Sequence, residues 1–199
     1  MDITGKSCYL LQNKRLYLHE YKQNNLNQEK NMVQNKFHKE TAYFASGCFW
    51  GTQYHLGKVK GVDSTHVGYM GGTLNNPSYP EVKTGTTGHV ETVEVVFDPT
   101  QVSFEQLLRL YFETHDFTQV GGQGPDIGSQ YRSVIFYCSE EQKEMAENYI
   151  GKLFGMGYKV ATALEPAEKF WVGEDYHQHY YDKKGETPYC HIYRKIFTD

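Results

Sequence analysis

The sequence predicts an α+β domain: a two-layer sandwich with a ferredoxin-like split βαβ core, a mixed sheet and an irregular C-terminal tail. Three observations predict it. Apolar residues change between a period of 2 and a period of 3.6 in the order β-α-β-β-α-β-α-β, and the first six of these elements match the split βαβ plan. Two helix-like segments open with a Ser-x-x-Gln capping signal. No repeat and no linker interrupts residues 41–199, and a chain of 199 residues suffices for one sizeable core rather than two.

Taken in order, "TAYFAS" reads as a short buried strand, and "CFWGTQYHLGKV" as a helix closed by Gly57 or Gly61. "DSTHVGYMGG" is a strand ending in glycine. "LNNPSYPEVKTGTTG" reads as a loop from its Pro, Gly and Asn. "HVETVEVVFDP" alternates and stops at Asp-Pro, a strand. "SFEQLLRLYFETH" carries Leu107, Leu108, Tyr111 and Phe112 on one helical face behind the Ser103–Gln106 capping box. "TQVGGQGPDIGSQ" is a glycine-rich loop and "YRSVIFYC" a strand. "SEEQKEMAENYIGKLF" is a helix behind a second box, Ser139 to Gln142, and "KVATALEP" closes the series as a strand. The tail after Phe170 is aromatic and polar without a clear period.

Composition narrows the function. The net charge is −4, so a basic face for nucleic acid is not expected. No apolar run reaches the roughly 18 residues of a membrane span. Residues 1–40 are rich in Asn, Gln and Lys and too poor in apolar side chains to offset their ordering entropy, so they read as a disordered extension. They lack a signal-peptide core, which makes a cytoplasmic location the expectation and leaves export or lipid anchoring as the alternative. The four cysteines, Cys8, Cys48, Cys138 and Cys190, are too few and too scattered for a disulfide scaffold, and none forms a C-x-x-C pair.

Cys48 stands at the junction of a strand and a helix. Amide N–H groups at a helix N-terminus favour an anion, so the thiol pKa is expected to fall. Gly47 and Gly51 would leave the sulfur open to another molecule, with Phe49 and Trp50 as an apolar wall. That combination suits a nucleophile with a small apolar target. Read locally, a thiol packed inert against its own strand fits the same residues. Glu91 shares a face with Val93 and Val95 by period 2, and a glutamate there needs a partner or a chemical task, unless the register places it at the surface.

The blocks "GCFWG", "VGYMGG", "NPSYPEV", "TGHVETVEVVFDP", "GPDIGSQYRS" and "FWVGEDYHQHYY", in that order across Tyr43 to His191, resemble the peptide-methionine sulfoxide reductase A family. The resemblance implies a thiol enzyme that reduces the S epimer of methionine sulfoxide, free or in oxidised proteins. Cys48 is then the nucleophile and Glu91 the acid that protonates the sulfoxide oxygen. Tyr79 and Tyr131 are hydroxyl donors, and Asp126 helps shape the site, although an Asp in a glycine-rich loop is otherwise a turn former. Phe49 and Trp50 hold the methyl and thioether. No bound cofactor is implied; the electrons come from outside, from thioredoxin or a dithiol.

The resemblance also makes Cys190, after a tyrosine in the tail, the thiol that resolves the Cys48 sulfenic acid into a disulfide. Cys138 ends an apolar strand and by itself reads as a reduced core or strand-end thiol, buried and inert. Other readings compete. His177, His179, Cys190 and His191 could hold a metal, though no known finger spacing is present. His66 or His89 could serve a different thiol enzyme, a hydrolase or peroxidase. The aromatic pocket alone could bind peptides without chemistry. His115 and Asp116 are left outside the site.

Overall fold

The structure, a computed structural model, describes residues 39–198; the extension and Cys8 lie outside the described residues. The elements are β1 Glu40–Ser46, α1 Phe49–Leu56, β2 Val62–Met70, α2 Tyr79–Lys83, β3 Val90–Phe97, α3 Phe104–Glu113, β4 Gly122–Gln123, β5 Asp126–Ile127, a 3-10 turn Ser129–Tyr131, β6 Ser133–Tyr137, α4 Glu140–Gly155, β7 Ala163–Pro166, β8 Trp171–Val172 and α5 Tyr180–Lys184.

Six strands form one sheet in the order β7-β6-β1-β3-β2-β8. The middle four, β6-β1-β3-β2, are antiparallel and are the expected split βαβ arrangement. β7 joins parallel to β6 and makes the sheet mixed; β8 adds antiparallel to β2. The central strands form where β-branched and aromatic residues run together, as in "VETVEVVF". Helices α1, α3 and α4 cover one face. Val93, Val95 and Phe97 from β3 meet Leu107, Leu108, Tyr111 and Phe112 from α3 and Leu153 from α4, all buried. A smaller cluster, Met70, Val90, Val134 and Phe136, fills the other face.

Helix α3 starts as its sequence predicts: the Gln106 amide donates to Ser103 Oγ at 3.2 Å and the Ser103 amide to Gln106 Oε1 at 2.9 Å. The second box closes only by half. Ser139 Oγ accepts from the Gln142 amide, but the Gln142 side chain takes the Cys138 amide and donates to the Thr41 carbonyl, tying α4 to β1 instead of to its own cap. The loop after β2 contains α2, opened by Ser78 with Glu81 three residues on; the Ser78 amide donates to Glu81 Oε2 at 2.8 Å. The glycine-rich loop folds into the β4–β5 hairpin. The "KVATALEP" strand is short, because regular pairing begins only at Ala163.

The tail packs onto the domain by point contacts. Buried Glu113 at the end of α3 accepts the amides of Ile196 and Phe197 at 2.9 and 3.1 Å, and Ile196 and Phe197 close the core.

Candidate active site

Cys48 is the N-cap of α1, two residues beyond the end of β1. The strand delivers the sulfur to the edge of the sheet and the helix turns away behind it. The next amide, Phe49 N–H, donates to Glu91 Oε2 at 3.0 Å. Glu91 lies on β3 opposite Tyr69 and on the face of Val93 and Val95, only 3% exposed, so the face assigned from alternation is the observed one. Its carboxyl therefore sits against the first turn of the helix that Cys48 caps.

These groups line a cavity of about 300 Å³ together with Phe49, Trp50, Tyr79, Asp126 and Tyr131. Seven of the residues singled out in the sequence thus come together. Tyr79 is delivered by α2, whose first amide donates to Glu174 Oε1 at 2.8 Å while Tyr69 Oη donates to Glu174 Oε2 at 2.7 Å. Tyr131 neighbours Tyr79 in the cavity wall and helps to keep its phenol protonated. Asp126 is set by the hairpin rather than by a bare turn: its pairing partner Gln123 exchanges hydrogen bonds with the backbone of Asp116, 2.9 Å to the amide and 3.0 Å to the carbonyl.

The remaining wall comes from the tail, which sequence reasoning did not place there: Tyr180, Tyr181, Glu186, Thr187 and Tyr189. Trp50 is fixed between them and the core. Its ring lies parallel to Tyr180 at 3.7 Å and its Nε1–H donates to His177 Nδ1 at 3.1 Å. The aromatic density of "DYHQHYY" was the available signal, since stacked rings need such runs, but no period assigned them to a face.

Two expectations about Cys48 are corrected. Its pKa is raised, not lowered. Burial dominates, the neighbouring Glu91 carboxylate adds to it, and the Trp50 amide opposes without winning. The resting group is the thiol. The glycines beside it do not open the sulfur to solvent either. Gly47, at φ +92°, leaves room for the Gln123 side chain, and a Cβ on Gly51 would overlap the His191 ring. The freed space is filled by the protein itself.

Glu91 is held up to about 8, first by burial and then by Asp126, against the Phe49 hydrogen bond and Lys83. At neutral pH it is therefore mostly a neutral acid, able to donate. Tyr131 is pushed up to about 12 by burial, with Glu91 next, and Tyr79 is raised in the same way, so both hydroxyls keep their protons. The cavity thus presents one carboxylic acid and two phenols beside a thiol and an aromatic wall. That set suits an oxygen that gains negative charge next to an apolar group.

Cys190 does not line this cavity. It lines a second groove with His115, Asp116, Gln119, Gln123, Gly124, Ile192 and Arg194, yet it is near enough to Cys48 for its thiolate form to raise the Cys48 pKa. Cys138 is exposed at the end of β6, not buried. The rival assignments find other geometry. His66 pairs with Glu94 at 3.1 Å, and His89 holds the turn after β2 through the Gly72 amide and the Leu74 carbonyl. Neither lines the cavity. Among the described residues no group of three His, Cys, Asp or Glu is placed to hold a metal, and no helix is long and apolar enough to cross a membrane.

The peptide methionine sulfoxide reductase family model matches residues 40–199. The chain belongs to that family. It is 49% identical over 155 residues to MsrA of Sulfolobus acidocaldarius, covering 77% of this chain and 88% of that one. It is 48% identical over 162 residues to MsrA of Methanothermobacter thermautotrophicus, covering 80% and 95%. Among solved structures, reduced Mxr1 of Saccharomyces cerevisiae superposes with a TM-score of 0.73 at 34% identity, over 78% of this chain and 92% of that one. Methionine sulfoxide reductase A of Corynebacterium diphtheriae does so with 0.67 at 40%, over 74% and 76%. The α+β fold expected from the sequence is the fold of these reductases. Peptide methionine sulfoxide reductases are oxidoreductases that return methionine sulfoxide to methionine, and this chain is one of them.

Proposed function

We propose that residues 41–199 act as a single catalytic domain that reduces the S epimer of methionine sulfoxide, free or in oxidised proteins, through Cys48, Glu91 and Cys190. The observation that carries this reading is the Glu91 carboxyl, buried, mostly protonated at neutral pH and bonded to the amide that follows Cys48.

The sulfoxide methyl group packs against Phe49 and Trp50, and its oxygen meets Glu91, Tyr79 and Tyr131. Cys48 attacks the sulfur as thiolate while Glu91 gives its proton to the oxygen. Because the free thiol is held high, its ionisation belongs to the substrate-bound state, where the thiol proton replaces the one that Glu91 gave up. Oxygen passes from sulfur to Cys48: the sulfoxide sulfur gains two electrons, Cys48 loses two, and methionine and a Cys48 sulfenic acid result. Cys190 then attacks the sulfenic sulfur, water leaves, and a Cys48–Cys190 disulfide forms. Cys190 lies between exposed Tyr189 and Ile192, where such a disulfide is open to exchange with an external dithiol. Thioredoxin fits that role, in place of a bound cofactor.

The test is reduction of separate S and R epimers of an N-capped methionine sulfoxide with dithiothreitol. Reduction of the S epimer only, lost in Cys48→Ser, is expected. Equal reduction of both epimers, or an active Cys48→Ser, would defeat the assignment.

A further inference from the structure

His191 is buried, 2% exposed, directly after Cys190. Its Nε2 lies 2.8 Å from the Ser46 carbonyl oxygen, which can only accept, so Nε2 carries the hydrogen. The neutral ring then has its lone pair on Nδ1, and Nδ1 lies 3.1 Å from Cys190 Sγ. The thiol hydrogen is the only one available to that contact, so Cys190 donates to His191. The ring is not free to turn away. It occupies the space left by Gly51, and His55 Nε2–H grips the His191 carbonyl at 2.8 Å. The position of Cys190, in a stretch of the tail without regular secondary structure, is thus set by one imidazole seated against the strand that leads to Cys48.

We infer that His191 is the base for the second half-reaction: it holds the Cys190 thiol and takes its proton as Cys190 attacks the Cys48 sulfenic acid. This rests on the resolving role proposed for Cys190. The step balances without another reactant. The Cys190–Sγ to Cys48–Sγ bond forms and the Cys48 S–O bond breaks. Cys190 sulfur is oxidised as Cys48 sulfur is reduced. The proton passes from Sγ to Nδ1 and leaves with the departing hydroxide as water.

Cys190 needs such a base. Burial, and then Asp126, push its thiol up to about 11, so little free thiolate exists at neutral pH. Burial also holds His191 neutral, down to about 4, so Nδ1 is unprotonated from pH 6 to 9; a base this weak takes the proton only as the S–S bond forms and passes it on at once. The titratable groups facing the pair are His55 and His115 on the histidine side, Asp126, Glu91, Cys48, Tyr181 and Tyr189 on the thiol side, and Asp116 and Arg194 across the groove.

The experiment loads the protein with one equivalent of sulfoxide without reductant and follows methionine release and disulfide formation separately, from pH 6 to 9, in wild type, His191→Asn, His191→Gln and Cys190→Ser. The glutamine variant can still donate to the Ser46 carbonyl. The wild-type rate of disulfide formation should change little across this range, because the attacking form is the thiol with its base. In His191→Asn, methionine release stays at one equivalent, while disulfide formation falls on the order of a hundredfold near pH 6.5. The deficit shrinks as pH rises and free Cys190 thiolate becomes available.

A constant deficit at every pH would mean that His191 only anchors the tail, and overturns the proposal. So does an unchanged rate, or a wild-type rate that itself climbs tenfold per pH unit; this last result needs no variant to fold. If Cys190→Ser still forms a disulfide on Cys48 and turns over with thioredoxin, the resolving role itself is wrong. Failure of Cys190→Ser to do so, beside an unaffected His191→Asn, isolates the error to His191.

Discussion

Cys48 is held by secondary structure on both sides, whereas Cys190 lies in a stretch that has none. A central strand ends two residues before Cys48 and a helix begins at the residue after it. Around Cys190, Tyr189 is 71% and Ile192 75% exposed, and the backbone is fixed by side chains of other elements: His55 at His191, Glu113 at Ile196 and Phe197. The difference suits the two demands of the proposed reaction. Attack on a sulfoxide needs a sulfur, an acid and two hydroxyls in fixed geometry, which packed elements supply. Resolution and exchange with an outside reductant need a thiol that moves between partners, and chain held at a few points can release it.

The sharpest way to break this contrast is at the rigid end. Glu91→Gln keeps the shape and removes the acid, so kcat/KM should fall on the order of 10²–10⁴-fold, with methionine release in a single turnover slowed equally. The wild-type activity should decline above about pH 8 as Glu91 loses its proton, and that limb should vanish in the variant. Stability carries the same sign. A carboxyl whose folded pKa is raised to about 8 contributes stability that is full below its unfolded value of 4.5 and is lost as pH rises through 8. Chemical denaturation from pH 4.5 to 8.5 should show the wild type weakening with pH and Glu91→Gln weakening less. An unchanged kcat/KM would remove Glu91 from the chemistry.

A smaller effect tests the seam between the two regions. Gly51→Ala drives a Cβ into the His191 ring, so the variant should lose about 1–3 kcal/mol in denaturant titration. Disulfide formation should suffer more than methionine release, because the displaced group belongs to the tail. Equal loss in both half-reactions would mean that the seam is part of the first site. The smallest effect is expected at Cys138, exposed at the end of β6. Cys138→Ser should leave turnover with thioredoxin unchanged and stability within about 0.5 kcal/mol.

The same contrast explains what could be read from the sequence. β3 and α3 were legible because alternation and a reciprocal capping box are local signals; period put Glu91 on the face of Val93 and Val95 but left open whether that face was buried. The short helix at Tyr79 carried such a signal too, Ser78 with Glu81 and Pro80 at its start, but the surrounding Pro, Gly and Asn masked it. The half-closed box at Gln142 could not be foreseen, since its side chain answers to Thr41 across the sheet. The rise in the Cys48 pKa was likewise hidden. A helix N-terminus is visible in sequence, but burial by Glu91 and a distant tail is not. Tyr180, Tyr181 and Tyr189 reach the cavity only through stacking and long-range packing, which no spacing encodes.

The contact between His191 and the Ser46 carbonyl joins residues 145 positions apart. A ribosome adding about 5–20 residues per second reaches His191 roughly 7–30 s after Ser46. During that interval the socket at Gly51 stands open and the segment that walls the cavity does not yet exist. The pocket can close only after His191 has been made. A nascent or C-terminally truncated chain therefore carries Cys48 without its aromatic cover, a thiol open to stray oxidants before it can serve as a repair enzyme.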